Sequence, residues 1–369
     1  MFDIDFYMKV FELKNQLMSR KINDKSYVVK KIEEYRSRKP VIYNIETTNS
    51  CNMRCEMCPR TTLMTRSIEN LNMETYKKII DQVEPFTESK LQKWEDFVEK
   101  NYGITKDDIS ENHFFLYIIP KVLVLHGYGD PLLDRHMPQR VRLLTEKNIP
   151  SYFSCNPANI NIEKSLEIFE NGLNYIKYSI ESVDDIRHKE IRGLASNFSE
   201  SYKNISKLLD LKKKYQYKTT IVITMLNLNK QNQKEEFERL KSYFKGMDVY
   251  IYLKSQDQQW YEDNKQQTQS IHWTEFCQFP WTSMTIKSNG EAVQCVEDFN
   301  NEIVLGNAKR GSLFDIWNDG KYQKFRENHF NLTPGIKCTE QCDMKLIGSF
   351  VTMAGGNNHT EVNLVVDGG

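Results

Sequence analysis

The sequence lacks the features that would tie the protein to a membrane or to a highly charged partner. None of its apolar runs approaches the roughly 20 residues that a membrane-spanning helix needs. Lysine plus arginine and aspartate plus glutamate number 50 each, so no net charge favours nucleic acid or a membrane surface as a partner. The amino-terminal MFDIDF is acidic and lacks the basic-then-apolar order of a signal peptide. We therefore expect a cytoplasmic protein with no nucleic-acid or membrane partner.

The cysteines indicate metal or redox chemistry, because disulfides are rare in the cytoplasm. The eight cysteines fall into three groups along the chain: Cys51, Cys55 and Cys58; then Cys155; then Cys277, Cys295, Cys338 and Cys342. The length of 369 residues suits one large α/β domain and a smaller one.

The first group lies in a C-x3-C-x2-C array within residues 49–60, directly after an apolar and β-branched run at 41–48. Three thiolates this close can converge on one metal centre. Three is one fewer than a tetrahedral zinc site or a fully protein-ligated iron–sulfur cluster needs. A [4Fe–4S] cube held by three cysteines leaves one iron open for another ligand. A zinc site would need a fourth ligand, and the sequence has no histidine or further cysteine nearby.

This spacing resembles the signature of the radical SAM enzymes. In that family the open iron chelates the amino and carboxylate groups of S-adenosylmethionine (SAM). Met57 also fits, because the family places an apolar or aromatic residue just before the third cysteine. The resemblance implies a radical SAM [4Fe–4S] cluster on Cys51, Cys55 and Cys58, with SAM as the second cofactor.

The chain between residues 41 and 253 alternates β-branched runs with amphipathic stretches, which predicts a parallel sheet covered by helices. We predict strands at residues 41–47, 121–126, 150–154, 175–180, 219–225 and 249–253. We predict helices near 73–83, 137–147, 162–170, 200–215 and 234–244. Six such units match the partial (β/α)6 TIM-like barrel of the resembled family. In such barrels the chemistry lies at the carboxyl ends of the strands.

Three of these strand ends carry candidate SAM-binding residues. After the second strand, Tyr128-Gly129-Asp130 resembles the family's Gly-Gly-Glu-Pro stretch, which receives the methionine amino group, although tyrosine and aspartate depart from it. Glycine would let the backbone approach the ligand closely. After the third strand, Asn156 lies where the family often carries Thr-Asn-Gly. Its neighbour Cys155 is either a small buried hydrophobe or a thiol that gives up a hydrogen atom near the radical.

The fourth strand ends at Ser179 and Glu181, which point to the same face because they stand at i and i+2. Their hydroxyl and carboxylate suit the ribose or the methionine moiety. Further on, Arg192 lies in a segment that resembles one whose arginine approaches the SAM carboxylate. A solvent-facing position on a helix is the alternative for this arginine.

Two segments lie outside a minimal barrel. Residues 1–40 indicate charged amphipathic helix, either a docking surface or a cover on the outside of the barrel. They do not resemble a winged-helix leader-binding domain. Residues 84–120 form an insertion with a charged helical stretch at 88–102 and an aromatic run at 114–117. The insertion is a substrate lid, a partner surface or a peripheral helical element.

The composition changes after residue 255. A polar linker leads to Cys277 and a strand region whose Asn289-Gly290 is a strong hairpin signal, with Ser312 as an N-cap further on. We take residues 41–255 as the barrel, 256–345 as the second domain and 346–369 as a tail. The order of these features resembles the SPASM/twitch domains, small α+β modules that hold auxiliary clusters. The four cysteines alone would also suit a zinc site, and they suffice for one [4Fe–4S] cluster, as in the shortened twitch form.

The resemblance implies an enzyme that cleaves SAM reductively and uses the 5′-deoxyadenosyl radical to take a hydrogen atom from its substrate. The auxiliary cluster would accept an electron while a base takes a proton, which completes a two-electron oxidation of a small molecule such as an aminosugar or cyclitol alcohol. A peptide maturase that crosslinks, epimerises or oxidises side chains is the alternative. A non-catalytic iron–sulfur carrier is a third possibility. A reductant such as flavodoxin or ferredoxin is the implied partner.

Overall fold

The computed structural model describes residues 1–19, 21–228, 232–254 and 277–340, and one nine-stranded sheet organises them. The strands are β1 (Ile42–Ile45), β2 (Leu123–Val124), β3 (Ser151–Cys155), β4 (Tyr175–Ser179), β5 (Thr220–Leu226), β6 (Val249–Lys254), β7 (Met284–Ile286), β8 (Glu291–Val293) and β9 (Val304–Asn307). Their order across the sheet is β6-β5-β4-β3-β2-β1-β7-β8-β9.

The first six strands form the predicted partial barrel. Each pairs in parallel with the next, from β1 with β2 through β5 with β6. All six lie within two residues of their predicted ends. The middle of β5 is buried on both faces, as expected for a parallel strand covered by helices. Because the strands are parallel, their carboxyl ends meet on one side of the sheet.

Fifteen α-helices are present in the described ranges. They are α1 (Ile4–Met18), α2 (Lys25–Tyr35), α3 (Pro59–Thr62), α4 (Met73–Ile80), α5 (Glu88–Tyr102), α6 (Glu111–His113), α7 (Met137–Glu146), α8 (Ile162–Glu170), α9 (Asp185–Arg192), α10 (Phe198–Tyr215), α11 (Gln233–Tyr243), α12 (Phe279–Thr282), α13 (Leu313–Asn318), α14 (Gly320–Phe330) and α15 (Lys337–Glu340). The five predicted barrel helices and the 88–102 helix are confirmed. Asn72 and Asn161 cap α4 and α8 through side-chain oxygens that accept backbone N–H groups.

The carboxy-terminal part of the chain extends the barrel's own sheet. Strand β7 pairs in parallel with β1, and β8 then pairs antiparallel with β7. The hairpin turns at Asn289-Gly290, where Gly290 has a φ of +83°, a conformation that favours glycine. Ser312 caps α13 as predicted, accepting from the Asp315 N–H. The predicted linker at 256–269 and tail at 346–369 lie outside the described residues.

The amino-terminal segment forms two helices, and α1 is more deeply buried than a helix that merely covers the barrel. Ile4, Tyr7 and Phe11 belong to the main core. From the opposite face of α1, Phe6 and Val10 pack in a second cluster with α2 and with Trp281 and Phe330 of the carboxy-terminal part. Helix α1 is therefore a core element that both parts of the chain share.

The insertion is also a core element. The Trp94 indole of α5 donates to the Leu116 carbonyl at 2.6 Å, which fastens α5 to the aromatic run. That run forms a short π-helix, Phe114–Ile118. Phe114 packs against Tyr152 of β3 and Tyr252 of β6, with ring centroids 5.4 Å away in each case. The insertion thus contributes apolar packing to the interior of the sheet.

Candidate functional site

The carboxyl ends of the six parallel strands surround one cavity of about 340 Å³. Each of β1 to β6 contributes lining residues, either from its last residues or from the loop that follows. The lining includes every candidate that the sequence places around the first cluster: Cys51, Cys55, Met57, Cys58, Tyr128, Gly129, Asp130, Cys155, Asn156, Ser179, Glu181 and Arg192. The strand alternation therefore brings together residues that lie up to 141 positions apart, from Cys51 to Arg192. None of the cavity's lining residues comes from the 84–120 insertion.

The three-cysteine loop is held in place by backbone hydrogen bonds to the end of α9. The Arg54 N–H donates to the Arg192 carbonyl at 3.1 Å, and the Glu56 N–H donates to the Ile191 carbonyl at 2.9 Å. Within the loop, the Met53 N–H donates to Cys51 Sγ at 3.4 Å. Hydrogen bonds from N–H groups to cysteine sulfur are one of the factors that set the reduction potential of an iron–sulfur cluster. These hydrogen bonds position the loop beside the end of α9.

Burial keeps two of these cysteines protonated when no metal is bound. It raises the pKa of the Cys58 thiol to about 11 and also raises the pKa of Cys51. Thiolates are the form that binds iron, so cluster binding must displace these protons.

Arg192 lies between Glu181 and the cysteine loop. Its guanidinium forms a salt bridge with the Glu181 carboxylate, and its Nη1 also lies 3.6 Å from Cys55 Sγ. The other Glu181 oxygen accepts from the Leu226 N–H at 2.6 Å, so this carboxylate also ties β4 to the end of β5. The arginine predicted for the SAM site is therefore not a solvent-facing helix residue.

Asp130 braces the loops after β2 and β3. One of its carboxylate oxygens accepts from the Leu132 N–H, and the other accepts from the Asn156 N–H and the Asn159 amide, all at 2.9 Å. Burial raises the pKa of this carboxyl, and the N–H donors oppose the rise. Asn159 also exchanges two amide hydrogen bonds with Asn52 of the cysteine loop. Asp130 therefore positions the site in addition to any contact that it makes with a ligand.

The two glycines after β2 make room for β1. A Cβ atom on Gly129 would overlap the Thr48 carbonyl, and one on Gly127 would overlap the Glu46 side chain. The sequence suggests a close approach to a ligand as the reason for Gly129. In the structure, the close approach is to the protein's own backbone, and Gly129 still lines the cavity.

Three cysteines of the second group, Cys277, Cys295 and Cys338, lie close enough for their charges to interact. Cys277 and Cys338 are buried and Cys295 is partly buried. Burial raises the pKa of Cys295 well above its ordinary value, and Glu297, Cys277 and Cys338 add to the rise, as neighbouring acidic groups do. Cys338 Sγ lies 3.4 Å from His329 Nδ1, a contact that the sequence analysis does not anticipate. Cys342, the predicted fourth ligand, lies outside the described residues.

Tyr128 connects the two cysteine sites. Its hydroxyl donates to the Glu297 carboxylate at 3.0 Å, and its ring packs edge-on against Phe299 at 5.9 Å. Glu297 is only two residues from Cys295 and also lines the cavity. The wall of the cavity is therefore continuous with the hairpin that carries Cys295.

Glu46, which the sequence analysis passes over, lies at the centre of a buried ionic network. Both oxygens accept from Arg66 at 2.9 Å, and they also accept from Ser288 and from the Tyr128 N–H. Burial would raise the pKa of Glu46, but Lys287 and Arg66 hold it below its ordinary value. In the sequence, Glu46 could have been singled out as the one charged residue of the apolar and β-branched run at 41–48.

Lys177 lines the cavity and is not among the site residues predicted from the sequence. It lies on β4, two residues before Ser179 and four before Glu181, so the same alternation points it inward. The residue is only 7% exposed. In the sequence, Lys177 could have been singled out as the one charged residue of the predicted strand at 175–180.

Comparisons with known proteins agree with this geometry. The sequence profile of the radical SAM superfamily matches residues 45–240, more than half of the chain. The chain belongs to the radical SAM superfamily. The SPASM profile, described as an iron–sulfur cluster-binding domain, matches residues 277–343 of this radical SAM enzyme. A search of the curated proteins finds no match.

Two solved structures with bound S-adenosylmethionine share the fold at low sequence identity. Streptococcus suis SuiB bound to S-adenosylmethionine aligns with a TM-score of 0.52 and 12% identity, over 91% of this chain and 82% of SuiB. Hexahistidine-tagged anSMEcpe with bound AdoMet aligns with a TM-score of 0.50 and 14% identity, over 78% and 82% of the two chains. BtrN in complex with AdoMet and 2-DOIA aligns with a TM-score of 0.46 and 15% identity, over 82% of this chain and 93% of BtrN. The first two alignments support the partial barrel.

The enzyme's cofactors are a radical SAM [4Fe–4S] cluster, SAM and an auxiliary iron–sulfur cluster. The residues present fit the first two. Soft thiolates suit iron–sulfur clusters, and the three thiols of the loop face one cavity. Two lining groups, Asn156 Nδ2 and Arg192 Nε, are buried with no hydrogen-bond partner within the described part of the chain. Such donors are costly to bury unless a ligand accepts from them.

No helix in the described ranges is long and apolar enough to cross a membrane.

Ser179 provides a direct test of the SAM site. Ser179→Ala should weaken SAM binding to the reconstituted enzyme by about 1–3 kcal/mol, because a polar partner that bound SAM would cover is lost. Equilibrium dialysis with labelled SAM measures this. Ser199→Ala is the matched control, because Ser199 is an exposed serine of α10 that hydrogen-bonds to Asp185. Equal SAM affinity in Ser179→Ala and wild type would remove Ser179 from the site.

Proposed function

We propose that this radical SAM enzyme carries out a two-electron oxidation, the dehydrogenation of a small molecule such as an aminosugar or cyclitol alcohol. The observation that carries the proposal is the Tyr128–Glu297 contact, which joins the cavity wall to the hairpin that carries Cys295. An electron acceptor next to the substrate is what an oxidation requires. A cluster held by four cysteines has no open iron for substrate, so accepting electrons is the chemistry left to it.

The chain's own residues bind the reactants and keep water out. When bound, the first cluster and SAM supply a 5′-deoxyadenosyl radical that takes a hydrogen atom from a substrate C–H bond. Ser179, Asn156 and Arg192 present polar groups to the cavity. Met53, Pro59 and Leu226 supply apolar walls, which limit access of water to a reactive intermediate.

The reacting part of the substrate would share the cavity with SAM and the first cluster. A peptide would place one side chain there, which is the arrangement that the peptide-maturase alternative needs. We propose a small one-electron carrier of the flavodoxin or ferredoxin type as the reductant.

The first experiment supplies the anaerobically reconstituted enzyme with SAM, dithionite and a panel of probes. The panel holds aminocyclitols deuterated at the carbinol carbons and peptides deuterated at side-chain carbons. We expect deuterium in 5′-deoxyadenosine and a ketone product from an aminocyclitol. Deuterium transfer from the peptides alone would favour the maturase. No 5′-deoxyadenosine with any probe would favour a carrier.

Cys295→Ser tests whether the auxiliary cluster accepts the substrate's electron. The substitution replaces a thiolate ligand of the cluster by an alkoxide. The identity of the ligands is one of the factors that set the reduction potential of an iron–sulfur cluster. We expect deuterium transfer to 5′-deoxyadenosine to continue while the ketone falls on the order of tenfold, and substrate that has regained hydrogen to accumulate.

Val296→Ala is the control for local disturbance of the hairpin, since Val296 is the next residue in the chain. Gel filtration and circular dichroism establish that both variants are folded. A folded Cys295→Ser enzyme that makes ketone at the wild-type rate would contradict the electron-acceptor role.

A further inference from the structure

Lys177 brings an amine with no ionic partner into the substrate cavity. It pairs across the sheet with Ser154 of β3 and Val222 of β5, so it lies in the middle of the parallel sheet. Its Nζ lies 5.7 Å from the ring centroid of Phe114 and 5.8 Å from that of Tyr152. In the part of the chain that the structure describes, Lys177 has no hydrogen bond or salt bridge from its amine.

The charged groups around Lys177 do not neutralise it. Lys254 on β6 and Arg192 on α9 destabilise the protonated form of the Lys177 amine. Glu111 on α6 and Glu181, just after β4, stabilise the protonated form. Glu181, however, is already paired with Arg192. Burial and then Lys254 lower the pKa of Lys177 to about 7, so a large fraction of the amine is uncharged near neutral pH.

Two other titratable groups at the cavity wall are unsuited to accept a proton. The ring of His126 accepts the Ser154 N–H at Nδ1, 3.1 Å away, so Nε2 already carries hydrogen. Burial, with Lys177 adding to it, lowers the pKa of His126 to about 3. The Cys155 thiol donates to the Lys177 carbonyl at 3.7 Å, and burial raises its pKa well above the ordinary value. Neither group takes up a proton at neutral pH.

The carboxylates of the cavity are committed to other contacts. Asp130 accepts three N–H donors and Glu181 is bound to Arg192 and to the Leu226 N–H. Glu297 accepts the Tyr128 hydroxyl. The Lys177 amine, by contrast, lies over aromatic rings and has no hydrogen-bond partner within the described residues.

We propose that Lys177 is the base that takes the substrate's proton, an inference that rests on the proposed oxidation. The carbinol C–H bond breaks and its hydrogen atom goes to the 5′-deoxyadenosyl radical. The hydroxyl O–H bond then breaks and its proton goes to the neutral amine, forming an ammonium. The remaining electron goes to the auxiliary iron–sulfur cluster, and the C–O bond becomes a carbonyl.

Two substitutions separate proton acceptance from other roles of the amine. Lys177→Met removes the amine and keeps an apolar stem, while Lys177→Arg keeps a positive charge that cannot be given up near neutral pH. With a carbon-deuterated aminocyclitol that the wild-type enzyme oxidises, both variants should still move deuterium into 5′-deoxyadenosine. Ketone formation should fall about 10²–10⁴-fold in both, and added methylamine should partly restore it in Lys177→Met. Lys213→Met, at an exposed lysine of α10, is the matched control.

The pH dependence gives a second readout. The neutral amine is the active form, so wild-type ketone formation should rise with pH through about 7 and then level off. In Lys177→Met this rise should be lost.

A third readout does not involve turnover. Competitive acetylation of the reconstituted enzyme, followed by peptide mass spectrometry, should show Lys177 reacting with a midpoint near 7, well below the value of about 10.4 that is ordinary for a lysine.

Several results would overturn the proposal. Full ketone formation in Lys177→Arg would mean that a positive charge suffices. A raised KM with unchanged kcat in Lys177→Met would mean that the amine anchors the substrate. An acetylation midpoint of Lys177 near the ordinary lysine value of about 10.4 would also contradict it. If the wild-type enzyme transfers deuterium but forms no ketone from any probe, the proposed oxidation fails, and the role of Lys177 fails with it.

Discussion

Replacing Cys51, Cys55 and Cys58 together by alanine should abolish 5′-deoxyadenosine formation. The three thiols face the cavity from the loop after β1. We propose them as the protein ligands of the radical cluster, so their removal should leave that cluster unbound. Iron analysis should show the loss of one cluster, with the auxiliary cluster retained. Chromatographic assay of the nucleoside after incubation with SAM and dithionite measures the effect.

The Cys295→Ser variant is the control for this experiment. It removes a thiol from the other cysteine group and should continue to form 5′-deoxyadenosine. The triple variant leaves the α9 contacts of the loop intact, since those are made by backbone atoms of Arg54 and Glu56. A triple variant that still produces 5′-deoxyadenosine would contradict the assignment of the radical cluster to this loop.

Glu46→Gln should lower the free energy of unfolding by about 3–5 kcal/mol, the usual cost of breaking a buried ion pair. The substitution keeps the shape of the side chain but leaves the buried cations Arg66 and Lys287 without their carboxylate. The network also links β1 to Tyr128 and to Ser288 of the hairpin, so the contact between the barrel and the carboxy-terminal part should loosen.

Urea unfolding of the anaerobically reconstituted enzyme, followed by circular dichroism, measures this loss. Glu84→Gln is the matched control, because Glu84 pairs with Lys39 on the surface and the pair is more than two-thirds exposed. An exposed pair contributes about 0–1 kcal/mol. A Glu46→Gln midpoint equal to that of Glu84→Gln would show that the network is not a source of stability.

The effect of Glu46 should also depend on pH. Folding lowers the pKa of this carboxyl below its ordinary value of 4.5. Its contribution to stability is therefore complete above that value and is lost as the pH falls through the lower, folded-state pKa. The difference in unfolding free energy between wild type and Glu46→Gln should shrink correspondingly in acid.

The sequence alone determined the cofactor chemistry and the barrel. The spacing of Cys51, Cys55 and Cys58 is a local property of one loop, and three thiols at that spacing restrict the possible metal centres. The strands are likewise recognisable from runs of a few residues. The Asn289-Gly290 hairpin and the Ser312 cap were predictable for the same reason, because turns and caps depend on the residues next to them.

Only the tertiary structure decided which polar groups face one another. Glu46 is 20 residues from Arg66 and 242 from Ser288, so no local pattern reports that these groups meet. The pairing of β7 with β1 likewise joins two parts of the chain that the sequence separates by a change in composition.

The solitary amine of Lys177 depends on long-range packing in the same way. Its position follows from strand alternation, but its lack of an ionic partner follows from Arg192 having taken Glu181 and from Phe114 of the insertion lying beside it. Ligand spacing and strand periodicity are short-range properties that a linear sequence displays. The ionisation of a buried group depends on the sum of all charges and apolar atoms around it, and those are assembled only when distant segments pack together.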